Sequence, residues 1–150
     1  GIEQIVRDAR VAMIYEGTNE IQAIDLLLRK TLPDGGAALL TLLGELAADL
    51  GTDEQAQRVK TQLDAFAAFV KNRLLPGVAA QGAPADRAHW LADDFLRAVA
   101  LLLMAWAWAR IGATPGADAA RWQAAQTGFW RWVWPEFGMR VDMMETTLAG

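Results

Sequence analysis

The stretch TDEQAQRVKTQLDAFAAFVKNRL, Thr52–Leu74, decides the fold class of this chain. An apolar seam falls at Val59, Leu63, Phe66, Val70 and Leu74, every step being three or four positions. That period places all five on one face of an α-helix and cannot be satisfied by a strand, which needs a period of two. Thr52 followed by Gln55 has the spacing of a capping box, so the helix is expected to open there. Gly51 before it is expected to stop the preceding helix, which the pattern puts at about residues 37–50.

The rest of the chain reads the same way. A first helix is expected over about Ile2–Met13, with Ile2, Ile5, Val6, Ala9 and Met13 along one side. A second starts at Thr18 or Asn19, either of which can cap it, and carries Ile21, Ile24, Leu27 and Leu28 on its apolar side. Arg29 and Lys30 suit the dipole at its end. Pro33-Asp34-Gly35-Gly36 then breaks the chain. Residues 76–84, PGVAAQGAP, read as a surface connection. A buried helix is expected over about Asp86–Ile111, and a further one from Asp118 that Pro135 should end or kink near Trp134. A short helix resumes to Leu148. No segment shows sustained apolar/polar alternation, so the expectation is an all-α bundle of six or seven helices with antiparallel neighbours.

Composition narrows the function classes. The chain has 150 residues and a formal net charge of -4, so phosphate attraction over a broad surface is not favoured and nucleic acid is not an expected partner. The sequence contains neither cysteine nor serine, which excludes cysteine and serine nucleophiles and thiolate metal sites within it. The N-terminal residues lack the apolar core of a signal peptide, and a cytoplasmic location is the expectation. The apolar run Ala98–Ala109 is twelve residues long, closed by Arg97 and Arg110, and is too short to span a bilayer, which takes about twenty. It reads as a core helix. The only histidine, His89, reads as solvated at a helix start. The pairs Asp93-Asp94 and Arg7-Asp8 read as solvated faces or local ion pairs, since adjacent helical residues point about 100° apart. Seven tryptophans, five of them in AWAWAR and FWRWVWPEF, read as core or interface packing, with one or two of the rings at 130, 132 and 134 on a surface.

One stretch carries more specific information. RDARVAMIYEGTNEIQAIDLLLRK, Arg7–Lys30, with its core IYEGTNEIQ, resembles the signature near the C-terminal end of acyl-CoA dehydrogenases. The continuation AIDLLLRKTLPDGG, and the helical residues beyond it, resemble the larger members that carry a helical C-terminal extension. The resemblance implies residues 1–32 as the end of the dehydrogenase bundle and residues 33–150 as the extension. It implies FAD as cofactor, an acyl-CoA as substrate, electron-transfer flavoprotein as electron acceptor, and a homodimer. It assigns Glu16 as the base that removes the α-proton and its backbone amide as donor to the thioester carbonyl. Gly17 lies against substrate, and Thr18, Asn19 and Glu20 against the flavin. These roles suit the residues: a carboxylate in a water-poor cleft gains basicity, and glycine lets a flat group approach the backbone. Only the last quarter of such an enzyme is represented, so the chain alone is expected neither to hold FAD tightly nor to dehydrogenate. The alternative is a helical interaction or dimerisation module in which Glu16 is a relic.

Overall fold

A computed structural model describes residues 2–14, 19–114 and 119–150, with side chains from residues 2–10, 19–114 and 120–150. Among these the secondary structure is helical, and the all-α expectation holds. Helix α1 is Ile2–Ile14. Helix α2 is Asn19–Ile24, continued by a π-helical turn Asp25–Thr31. Helix α3 is Ala37–Asp49. Helix α4 runs Glu54–Phe69, passes through a π turn Val70–Leu74 and ends with Leu75–Ala79. Helix α5 is Arg87–Ala113, and α6 runs Ala119–Gly128, a π turn Phe129–Val133, and Pro135–Ala149.

The three π turns share a cause. Each is followed, two residues on, by a proline: Pro33, Pro76 and Pro135. The residue before each proline donates its N–H five residues back, Leu32 to Leu27 at 2.9 Å, Leu75 to Val70, and Trp134 to Phe129 at 2.8 Å. Proline has no N–H to offer and its ring crowds the carbonyl four residues back; a widened turn just ahead of it relieves that clash. At Pro33 the helix then ends. At Pro76 and Pro135 it continues, so residues 76–79 belong to α4 rather than to the surface connection expected over 76–84. At Pro135 the expected interruption near Trp134 takes the form of a π turn and a turn residue, and the helix resumes over Pro135–Ala149.

Helix α5 is the centre. It packs against α2, α4 and the second half of α6, while α3 packs on α4. Leu91, Phe95, Ala98, Leu101, Leu102 and Ala105 of α5 are fully buried, and the expected seam of α4, Val59, Leu63, Phe66, Val70 and Leu74, is buried against them. Ala23 and Leu27 of α2 join the same core. By length and composition α5 is the one described helix apolar enough to cross a membrane. Here its apolar side is the bundle's core and its charged residues are met by neighbouring helices. Arg97 pairs with Glu136 at 2.7 Å, and Arg110 with Asp49 at 3.1 Å.

Two boundary expectations are corrected. The cap of α4 is Asp53, whose Oδ1 accepts from the Ala56 N–H at 3.0 Å, and not Thr52. Aspartate outranks threonine as a cap, and Asp53 has the extended backbone the position needs. Helix α3 ends through Leu50 in an extended conformation, and Gly51 is not in the left-handed region a glycine stop uses. Asp53→Ala is expected to lower stability by about 1 kcal/mol, whereas Thr52→Ala should change it by less than about half that. Chemical denaturation of the two variants distinguishes the caps.

Candidate functional site

The motif Ile14–Gln22 runs from the last described residue of α1, Ile14, into α2, which begins at Asn19; the break expected at Glu16-Gly17 falls outside the described residues. Glu16, Gly17 and Thr18 lie outside the described residues. Asn19 and Glu20 form the first turn of α2 and are both exposed. Their side chains therefore stand open to a ligand or a neighbouring element.

What holds that turn in place is the other end of the same helix. Ala23, Leu27 and Thr31 are buried against the core. The Thr31 hydroxyl donates to the Leu26 carbonyl at 2.8 Å, satisfying a buried polar group. Beyond Pro33 the chain reverses through Gly35 and Gly36, at φ +63° and +77°, a conformation that favours glycine. The Gly36 N–H donates to the Thr31 carbonyl at 2.8 Å. Asp34 closes the turn, its Oδ1 accepting from the Gly36 N–H and its Oδ2 from the Ala38 N–H, both at 2.9 Å. Helix α2 is thus clamped at its C-terminal end and packs on α5 through Ala23, while the side chains of residues 19–22 are exposed.

The surface around the motif is apolar and uncovered. Ile2, Ile5 and Val6 of α1 are 61%, 68% and 53% exposed, and Ile21 of α2 is 63% exposed. The expected apolar side of α1 exists, and among the described residues nothing covers it. On the exposed face of α1, Arg7 is paired to Glu3 at 2.8 Å, and the Gln4 amide donates to Asp8 at 2.8 Å. Beside α2 a groove of about 380 Å³ runs between α2, α3 and α5, walled by Leu26, Leu39, Leu42, Leu96 and Leu103, with Lys30 at its edge. An exposed apolar stripe and an apolar groove of this size mark a surface that another element covers.

Elsewhere the charges are structural. Asp93 and Asp94 are not a solvated pair: both accept from Arg140 Nη1, at 3.0 and 2.7 Å, across 47 and 46 residues of sequence. Asp94 is 7% exposed. Glu136 accepts from both Arg140 and Arg97, and hydrogen bonding to Arg97, with help from Arg140, holds its carboxyl below the usual range. Sequence reasoning missed this clamp, since nothing in local spacing links residue 140 to residue 94. His89 is exposed at the start of α5, as expected. No cluster of metal-ligating side chains occurs among the described residues.

The tryptophans form a ladder of ring contacts rather than a flat platform. Trp108 meets Phe129, Phe129 meets Trp130 at 4.9 Å, Trp130 meets Trp134 at 5.6 Å, and Trp134 stacks on Phe137 at 4.8 Å. Phe137 in turn reaches Phe66 in the core. Trp132 and Trp90 stand outside the ladder, 74% and 57% exposed, and the Arg131 guanidinium lies over Trp132 at 4.8 Å. Below Trp130 and Trp134 lies a cleft of about 490 Å³.

Comparison with known proteins bears on the motif. Over 114 residues the chain is 37% identical to the 3-methylmercaptopropionyl-CoA dehydrogenase of Ruegeria pomeroyi, a match that takes in 71% of this chain and 19% of the relative. Over 61 residues, 41% of this chain and 10% of the relative, it is 39% identical to the broad-specificity linear acyl-CoA dehydrogenase FadE5 of Mycobacterium tuberculosis. The chain spans well under two thirds of the length of the curated relatives it matches. No family model and no solved structure matches it.

Proposed function

We propose, for a chain that carries a stretch of the acyl-CoA dehydrogenase family, that its motif supplies the proton-abstracting end of an active site whose other walls belong to the rest of the enzyme. The observation that carries this reading is the IYEGTNEIQ motif running from α1 into α2, with the side chains of residues 19–22 exposed on a helix packed against α5. The reaction is α,β-dehydrogenation of an acyl-CoA. Bound FAD supplies the acceptor for the β-hydride.

The chain's own residues do the proton work. The α-hydrogen of a thioester is weakly acidic, so its removal needs a carboxylate kept from bulk water and a donor at the carbonyl oxygen, where negative charge develops. Glu16 takes the α-proton, and its backbone N–H donates to the thioester oxygen. Gly17 leaves room for the flat thioester. Thr18, Asn19 and Glu20 hold the flavin. The exposed first turn of α2 suits such contacts, since a hydroxyl and an amide can pair with ring and phosphate oxygens, while the Glu20 carboxylate suits hydroxyl donors rather than pyrophosphate. The same reading makes the parent a cytoplasmic homodimer that passes electrons to an electron-transfer flavoprotein, and makes the 150-residue chain inactive alone.

The test is the visible spectrum of the complete reading frame containing this chain, purified and titrated with acyl-CoA thioesters of different length. Bleaching of the flavin band is the expected result, and a purified parent with no flavin would overturn the reading. The exposed stripe Ile2, Ile5, Val6 and Ile21 favours a second reading, in which this chain is a helical module that docks on a partner and has no part in chemistry. Under it the parent would carry no flavin and the isolated chain would associate through that stripe.

A further inference from the structure

The cleft below Trp130 and Trp134 lies between the start of α4 and the middle of α6, on residues the motif does not involve. Two arginines from different helices line it, Arg58 and Arg131, together with Gln55 and Val59. Neither cation is committed to the fold. Arg131 pairs with no carboxylate among the described residues and rests over Trp132. Arg58 pairs with Glu54 at 2.6 Å, but both side chains are largely exposed, at 71% and 81%, and such a pair exchanges readily for a better anion. The Trp130 indole N–H is buried and meets no acceptor among the described residues, an unmet donor in a residue that lines the cleft. Trp134 stacks on Phe137 and meets Trp130 edge-on, contacts that fix both rings where they line the cleft.

Two cations from separate helices match an anion of more than one charge better than a lone carboxylate, and guanidinium pairs with phosphate oxygens in a two-pronged geometry. Indole walls suit a flat ring, and an amide such as Gln55 can read both donors and acceptors on its edge. The volume is that of a small-molecule site. We propose that this cleft binds a nucleoside phosphate, the ring against Trp130 and Trp134 and the phosphates on Arg58 and Arg131. This goes beyond the dehydrogenase reading and stands whether or not Glu16 is a base. The chain's overall acidity hides the site, because its two cations come together only when residues 58 and 131 meet.

The chain carries seven indole N–H signals in a proton–nitrogen correlation spectrum, and Trp130→Phe identifies the one that belongs to Trp130. ADP, CoA, adenosine and inorganic phosphate are titrated separately, with helix content checked for each variant. The expected result is that ADP moves the Trp130 signal saturably, and that Arg58→Gln and Arg131→Gln each weaken binding about tenfold without changing helix content. Equal movement by CoA would extend the site to nucleotides carried on a thioester, and its failure would confine the site to free nucleotides; either supports the proposal. Three results overturn it: no movement with ADP at millimolar concentration, inorganic phosphate matching ADP, or binding unchanged in both arginine variants.

Discussion

Glu16→Gln in the complete reading frame is expected to slow flavin reduction by an acyl-CoA by between about a hundred- and ten-thousand-fold, with flavin content and thioester binding retained. The amide has the shape of the carboxylate and its hydrogen-bonding reach, but it cannot accept a proton at any accessible pH. The backbone N–H of residue 16 survives the change, so the donor to the thioester oxygen is kept and only the base is lost. The pH dependence separates this from a structural effect. In the parent the rate should fall at low pH as the carboxylate is protonated, and in the variant the residual rate should lack that limb. Stopped-flow bleaching across pH supplies both numbers. Equal rates in the two proteins would move the base to another residue, while loss of flavin from the variant would make Glu16 a structural residue of the cofactor site.

The fold was legible wherever one local signal acted alone. The seam Val59–Leu63–Phe66–Val70–Leu74 repeats every three or four residues, and all five side chains are buried. Legibility fell where two local signals competed. Thr52 and Asp53 are neighbouring acceptors with suitable partners three residues on, and the carboxylate caps the helix. Pro76 and Pro135 carry the usual meaning of a helix end, but a π turn ahead of each absorbs the clash, and a proline alone does not tell a helix that stops, as at Pro33, from one that resumes. The apolar stripe of α1 was readable as a stripe, yet what covers it was not, because periodicity gives a face and not a partner. For the site, the motif gave the place of the α1–α2 junction. The long-range arrangement, the Arg140 clamp and the Arg58–Arg131 cleft, depends on how α4, α5 and α6 pack. Residues dozens of positions apart leave no spacing to read.

The Arg140 clamp carries the largest expected effect on stability. Arg140→Leu should destabilise the chain by about 2–4 kcal/mol, which at this size is on the order of 4–16 °C in melting temperature. The arginine joins α6 to α5 through Asp93 and Asp94 and braces Glu136 one turn back on its own helix. Its removal leaves the Asp94 carboxylate, 7% exposed, beside leucine with no cation. That uncompensated charge, more than the lost attraction, sets the size of the effect. Exposed pairs such as Glu3–Arg7 give the contrast: Arg7→Leu should change stability by less than about 0.5 kcal/mol. If the buried charge is the cause, adding Asp94→Leu to Arg140→Leu should recover most of the loss, since an apolar pair of similar volume replaces an ion pair at small cost. No recovery would mean that the arginine acts mainly through Glu136 and Asp93. Acid gives an independent check with a definite sign. The Glu136 carboxyl is held below its ordinary value in the folded chain, so its contribution is fully present above the ordinary carboxylate range and is lost as pH falls through the folded value. The melting temperature of the parent chain should therefore drop on acidification below about pH 4.5. In Arg97→Gln the drop should be smaller, because hydrogen bonding to Arg97 is the largest cause of that shift.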